Sequence, residues 1–532
     1  MNSKKLLCYS ILTLTLLCSC QNNQLEDLEN TEGSKLDNVL TIYNCEDYID
    51  ETLIEAFEEE YDVTVNYYTY DTNETLYNQL TLQPEGTYDL VCPSEYMIQR
   101  LVSEDLINQL DKSKLTTYYE NASNEILSKI ASMPTSKKDA NGKTLCLDSY
   151  AAGYMWGTMG LIYDPNCISE EDIKTWDVLW NDKYENYASV KNSMRDTYVV
   201  GIMHAYQEEL KEARNKYLSS EIDAEKYNSK IQDVFNRHDD KDIALVKQEL
   251  IDLKKNIYGF ENDSGKNDIT TGKIKINLAW SGDAVYSIST AYDEANKELK
   301  YCVPDEGSNI WYDGWVMPKG ANEDLAYKFI NFLSDPVNAA INMEYIGYTS
   351  FIASNEVFDN VTNWYGASDY YKETEYYAAN EDEETSASVV RFENKFYECI
   401  KDAKGIIPTN EEYFTLLDEE NSPLNEGYDL SYYFKDTAPS DKSLFIYPFE
   451  ECANRLYTQY PDKETINRCA FMNDFGEDNA KVIIMWSQVK ASTDMVPYYT
   501  ILILVVLFVP CYFLVKLLRD KAIEYYASKR NN

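Results

Sequence analysis

Carboxylates and aromatic rings dominate the side chains able to do chemistry, and imidazole is almost missing. The 532 residues include 91 Asp and Glu, 47 Tyr and 8 Trp, against two histidines, His204 and His238. Histidine-based catalysis and multi-histidine metal sites therefore have almost no raw material. No nucleophile–histidine pair and no phosphate-cradling G-x-x-x-x-G-K occurs, and paired acids alone are uninformative among so many carboxylates. An enzyme is not expected, and the sequence calls for no metal or cofactor. With 48 basic residues the formal charge is −43. That excludes a basic nucleic-acid footprint and argues against docking on anionic lipid. The acid excess suits a cationic ligand, although most of it is accounted for by keeping an exposed surface soluble.

The ends of the chain indicate the compartment. Lys4 and Lys5 precede a short apolar run, Leu6 to Leu17, too short to span a bilayer. It closes in Leu17-Cys18-Ser19-Cys20, which resembles a bacterial lipobox, so residues 1–20 are expected to be a lipoprotein signal peptide with Cys20 as the lipidated residue. Residues 21–38 are polar and acidic, as a tether would be. Met495 to Val515 is a 21-residue stretch without charge, followed by Lys516, Arg519, Lys521, Lys529 and Arg530. At ~1.5 Å per residue this length crosses ~30 Å of hydrocarbon, and the positive-inside rule puts residues 516–532 in the cytoplasm. The expectation is an extracytoplasmic body, on the outer face of the plasma membrane or in the periplasm, held to the membrane at both ends. Eight cysteines lie in that body: Cys45, Cys92, Cys146, Cys167, Cys302, Cys399, Cys452 and Cys469. Disulfides are permitted there, but no C-x-x-C occurs and the pairing is not assignable.

The elements that must position the chemistry alternate between strand and helix. VLTIYNC (39–45) reads as a strand, ETLIEAFEEEY (51–61) as an amphipathic helix with Leu53, Ile54, Phe57 and Tyr61 on one face, and VTVNYYTY as a second strand. Helix NETLYNQLTL and strand YDLVCPS complete a β-α-β-α-β order, which predicts a parallel sheet wrapped by helices, with ligands beyond the carboxyl ends of the strands. Further strands are expected in YMWGTMGLIYD (154–164), where glycines allow close approach, in INLAW (276–280) and in WYDGWVMP (311–318), the last followed by helix NEDLAYKFINFLS. Residues 207–255 interleave Lys and Glu and read as a solvated helical insertion. Residues 355–465 are acidic, tyrosine-rich and poorly periodic, with NEDEET (380–385) as a loop.

Read in order, NCEDYIDETLIEAFEEEY, TYDTNETLYNQL, YDLVCPSEYMIQRLVSEDLINQL, YMWGTMGLIYD, TWDVLWNDKY, MRDTYVVGI, NLAWSGDA, IWYDGWVMPKGA and KFINFLSDPVNAAINMEYIGYTS resemble the spermidine/putrescine-binding proteins of bacterial ABC importers. The resemblance covers residues 40–355 and 466–491, the second stretch carrying CAFMNDFGEDNAKVIIMWSQVKA. It implies an α/β, two-lobed type II periplasmic-binding-protein fold that closes over its ligand, here with an added C-terminal transmembrane helix. Lobe 1 would comprise residues 39–150 with 303–355, and lobe 2 residues 151–302 with parts of 356–494, including the acidic Tyr-rich insertion. The implied partners are a polyamine, spermidine or putrescine, the ABC permease and, through it, the ATPase.

A polyamine is a flexible chain of spaced ammonium groups. Carboxylates bind such groups by charge-assisted hydrogen bonds about twice as strong as neutral ones, and each aromatic face adds about 0.5–2 kcal/mol. By motif, the resemblance assigns Trp280 and Trp311 as cleft tryptophans and Asp313 as the carboxylate that grips an amine. It further assigns Tyr48, Ser94, Tyr96 and Tyr348 as polar or aromatic cleft positions, and Asp196 as an acid of the second lobe. Departures are specific. Asn44-Cys45 stands where Asn-Trp is common, Glu46 where a hydroxyl is common, Ser193 where an acid can stand, and Met472 where an amide can stand. Glu46 and Ser193 are kept as candidate ligand-binding positions. The alternatives are a receptor for another small cationic solute, or a surface adhesin using the 355–465 insertion.

Overall fold

The computed structural model describes residues 38–368 and 389–492, apart from 402, 404, 420 and 439–442, together with 512, 515–519 and 521. The expected signal segment, Cys20, the tether up to residue 37, the NEDEET loop and nearly all of the 495–515 span lie outside these residues. Among the described residues no helix is long and apolar enough to cross a membrane.

The first body starts with β1 (Val39–Cys45), whose Leu40, Ile42, Tyr43 and Asn44 are buried. Helix α1 (Glu51–Tyr61) begins where the Asp50 carboxylate accepts the Thr52 amide at 3.0 Å, and it stops at Asp62 in the left-handed region, φ 53°. Leu53, Ile54 and Phe57 bury the face that the spacing predicts. Strand β2 (Thr64–Tyr70), helix α2 (Asn73–Leu82) and strand β3 (Leu90–Val91) follow, and the sheet order β2-β1-β3 is parallel throughout. The third strand is shorter than expected, because Pro93 has no amide to donate and the chain turns into α3 (Glu95–Ser103).

A mixed sheet links this body to a second. Its spine, β4 (Ala152–Tyr163), is buried at all twelve positions. From there the chain runs through β5 (Ala188–Lys191), α4 (Met194–Ala205), α5 (Gln207–Leu218), α6 (Ala224–Phe235), α7 (Asp240–Asn256), β6 (Gly259–Glu261), β7 (Ile276–Trp280) and α8 (Ser281–Ala295). It returns along β8 (Ser308–Trp315) to α9 (Glu323–Leu333), and β9 (Cys469–Ala470) and α10 (Asn479–Ala491) close the fold. The order is β9-β8-β4-β7-β5-β6. Residues 152–158 of β4 pair with β8, and residues 159–163 pair with β7. The same long strand therefore carries the first body at one end and the second at the other. Bridges Val91↔Val316 and Ser94↔Asp313 join β3 and its following loop to β8. The arrangement is mixed α/β, with two bodies sharing long strands.

Two expectations change. Residues 207–255 are helical, but they are not merely a solvated insertion. Tyr227, Ile231, Val234 and Phe235 of α6 and Val246, Leu250 and Leu253 of α7 belong to the main core, and α7 packs on α4 and α10. Dense charge on the outer faces conceals a narrow apolar stripe at helical spacing. Residues 355–465 hold an ordered unit: helix Asn355–Tyr365, a six-stranded sheet between Gly366 and Pro448, and helix Glu450–Gln459. Its strands are two to five residues long, too short for an alternating pattern to stand out. Among the described residues, Cys45, Cys92, Cys146, Cys167, Cys302, Cys452 and Cys469 are free thiols.

Candidate functional site

The strand ends of both bodies converge on a cavity of ≈ 180 Å³. All ten residues expected to bind ligand line it: Glu46, Tyr48, Ser94, Tyr96, Ser193, Asp196, Trp280, Trp311, Asp313 and Tyr348. Period-two geometry explains Trp311 and Asp313, which lie two residues apart on β8 and so on one face. A β-bulge at Asp313/Gly314 follows at once, and such bulges re-aim side chains beside sites. The Ser94↔Asp313 bridge brings Ser94 to the same place, where Asn73 fixes it by donating to the Ser94 hydroxyl at 3.0 Å and accepting its amide at 3.1 Å.

Asp313 is the acceptor at the first-body end. Tyr48 donates its hydroxyl to Asp313 Oδ2 at 2.7 Å, while buried Oδ1 and the buried Trp311 indole N–H have no hydrogen-bond partner. Desolvation pushes the Asp313 carboxyl up to about 6 and the charge of Asp196 acts in the same direction, whereas the nearby Ser94 hydroxyl and the hydrogen bond from Tyr48 pull it back. Around it stand three rings edge to face: Tyr48 on Tyr348 at 5.2 Å and Trp311 on Tyr348 at 5.5 Å. They fit because two glycines make room. A Cβ on Gly282 would lie 2.2 Å from the Tyr348 ring, and one on Gly157 would lie 2.8 Å from Trp311.

The second-body end is built at the start of α4. Ser193 is the N-cap, its hydroxyl accepting the Asp196 amide at 3.3 Å, so this candidate position also serves the helix. Burial raises the Asp196 carboxyl, offset by hydrogen bonds to Ser193 and Trp280 and by the charges of Lys191 and Arg195. Across the cavity Tyr96 donates to Glu74 at 3.3 Å. Desolvation likewise raises Glu74. Glu46 follows β1 and stands exposed at the rim.

Sequence reasoning missed several members. Asp283 lines the cavity three residues after Trp280, within the WSGDA string, and was legible there only as one more acid. Its Oδ1 accepts the Tyr348 hydroxyl at 2.9 Å and its Oδ2 accepts Lys191 at 3.1 Å. Lys191, 1 % exposed, also meets Glu261 at 3.3 Å and lies 4.6 Å from the Trp280 ring centre. Arg195 lies over Tyr96 at 4.6 Å and over Phe475 at 3.7 Å. Cys45 and Cys92 line the wall near Asp313, and burial pushes both thiols up, so neither is a ready nucleophile. Glu95 is structural. Burial pushes its carboxyl up to about 8, and it accepts the Tyr312 amide at 3.2 Å and the Met472 amide at 3.1 Å, tying α3 to β8 and to the segment after β9. The site as a whole is a shielded, net acidic slot with ring walls, suited to hold a small cation rather than to transform it.

The chain is similar to known proteins. The family described as bacterial extracellular solute-binding protein matches residues 52–367, more than half of the chain. The spermidine/putrescine-binding periplasmic protein of Salmonella typhimurium is 29% identical over 310 residues, which is 58% of this chain and 76% of the relative. The putrescine-binding periplasmic protein PotF of Escherichia coli is 28% identical over 318 residues, 58% of this chain and 77% of the relative. A solved structure from Listeria monocytogenes, provisionally assigned to a spermidine/putrescine ABC transporter, superposes with a TM-score of 0.55 at 22% identity, covering 85% of this chain and 99% of that one. At that identity the superposition speaks for the fold alone. The chain therefore belongs to the bacterial extracellular solute-binding proteins, which capture a ligand and release it unchanged rather than acting as enzymes.

Proposed function

We propose that this protein captures a polyamine in the cavity between its two bodies and passes it to an ABC permease. The observation that carries this reading is Asp313: a shielded carboxylate with one buried oxygen unpartnered, walled by Trp311, Tyr348 and Tyr48. One ammonium seated there would gain a charge-assisted hydrogen bond and ring faces together. Asp196 and Glu74 supply acceptors for a second ammonium, and Trp280 and Tyr96 offer surfaces for the methylenes between. A ligand gripped from both bodies favours the closed form, and a permease that favours the open form would drive release. The names of the relatives point to the same ligand class.

The reading extends to the membrane. Lipidation at Cys20 and a span at 495–515, with a cytoplasmic tail, would hold the receptor beside its permease and raise its effective concentration there. The decisive test is calorimetric titration of the full-length chain in detergent with putrescine and spermidine. Saturable binding of either is expected. Silence with both at millimolar concentration sinks the polyamine assignment.

A further inference from the structure

The cleft holds more carboxylates than a small amine can use, and one of them is already occupied by the protein. Asp283 faces the cavity, yet both its oxygens are taken, one by the Tyr348 hydroxyl and the other by Lys191. The Lys191 ammonium has the surroundings expected of a bound amine. It donates to Asp283 at 3.1 Å and to the Asn262 carbonyl at 3.5 Å, pairs with Glu261 at 3.3 Å, and lies 4.6 Å from the centre of the Trp280 ring. Glu261 is satisfied besides by the Gly265 amide at 2.8 Å and by Asn277 at 3.3 Å. Lys191 thus fills a cation seat made of two acids and an aromatic face, and it is tethered there by β5.

We propose that Lys191 is a specificity-determining residue, a built-in ammonium that withdraws Asp283 from ligand binding and so makes the cleft prefer a diamine to a triamine. The charge balance leads to the same number. Lys191 and Lys266 face Asp283 and Glu261, with Lys266 also held by Asp263 at 2.8 Å. Glu46, Asp47, Asp71 and Asp263 line the slot where it is exposed, and Glu95 is occupied by the Tyr312 and Met472 amides, so the shielded acids left are Asp313, Asp196 and Glu74 against the Arg195 guanidinium, a surplus of two negative charges. Two ammonium groups neutralise that surplus. A third shielded seat would need the carboxylate that Lys191 holds.

The inference rests on the polyamine reading above, and the experiment separates the two. Titrating the full-length chain in detergent should give an affinity for putrescine at least tenfold higher than for spermidine. In Lys191→Met, Asp283 is released to the cavity, and the putrescine-to-spermidine affinity ratio should fall at least tenfold. Because that variant leaves two buried acids facing one lost cation, Lys191→Met/Glu261→Gln is the charge-balanced partner. It still frees Asp283 and should show the same fall. Lys191→Met/Asp283→Asn frees no carboxylate and should keep the wild-type ratio. A wild-type preference for spermidine, or a ratio unmoved in the charge-balanced variant, overturns the role of Lys191 while leaving polyamine capture standing. Binding of neither amine removes both.

Discussion

At the scale of single residues, the site depends on burying one carboxylate where a cation can reach it. Desolvation pushes the Asp313 carboxyl up to about 6, outweighing the pull of the Tyr48 hydrogen bond and the nearby Ser94 hydroxyl. An ammonium binds the ionised form, so affinity should hold above about pH 6 and decline toward tenfold per pH unit below it. The unliganded protein should respond oppositely. A carboxyl raised by folding holds its proton more tightly in the folded state, so its contribution to stability is complete below the ordinary range near 4 and is lost as pH rises through about 6. Asp313→Asn should therefore weaken putrescine binding at least tenfold at pH 7.5, flatten the acid limb of the binding profile, and remove this part of the pH dependence of unfolding. Titrations and melts across pH 4.5–8 would check all three. An Asn variant with unchanged affinity would take Asp313 out of the site.

At the scale of elements, two glycines show how strands and helices are spaced to admit rings. Gly282, at the second position of α8, lies under Tyr348, and the helix can approach only because no Cβ intervenes. Gly282→Ala should push the Tyr348 ring away, break its hydrogen bond to Asp283 and disturb the Tyr48–Tyr348–Trp311 wall. An overpacking cost of about 1–3 kcal/mol in stability is expected, together with at least a tenfold loss of putrescine affinity. Thermal unfolding and calorimetry read the two effects separately. A variant that melts like wild type and binds normally would show that the contact relaxes without consequence. β4 illustrates the complementary point. Its length and uninterrupted burial let one strand serve both bodies, so small shifts along it alter how the cavity walls meet.

At the scale of the whole molecule, the ordered unit within 355–465 spans the back of the long strands. Tyr433 donates its hydroxyl to the Ser350 carbonyl, receives the Trp156 indole N–H at 3.3 Å, and through its own carbonyl receives the Ser123 hydroxyl at 2.8 Å. Nearby, Tyr428 and Tyr432 donate to the carbonyls of Tyr460 and Pro461 at 2.7 and 2.9 Å. This turn therefore ties the first body to the helix Glu450–Gln459, which packs on α8 of the second. Tyr433→Phe keeps the ring but strands two buried partners, Ser350 and Trp156, and should cost about 1–3 kcal/mol of stability, read by thermal or denaturant unfolding. No change would mean the strap is a passive cover.

Much of this was legible beforehand. The register of helices and strands from 39 to 82 and the strands at 276 and 311 follow from period and caps, which are local properties of the chain, while the ten expected ligand residues come from the family resemblance carried by co-linear motifs. The inner stripe of α6 and α7 and the short strands near residue 400 were not, since dense surface charge and brevity erase their period. The tally of acids is likewise a sequence property, and it argues for a cation. Which acids are free to meet that cation is not, because it depends on partners far apart in the chain meeting in a place without water. Lys191, Glu261 and Asp283 become a closed ion cluster only when β5, β6 and α8 pack together. Asp313 keeps an open oxygen only because the bridge to Ser94 and the bulge in β8 turn it into the cavity. Sequence alone determined that the slot would be acidic and aromatic, and the tertiary structure decided how many of its charges a ligand can use.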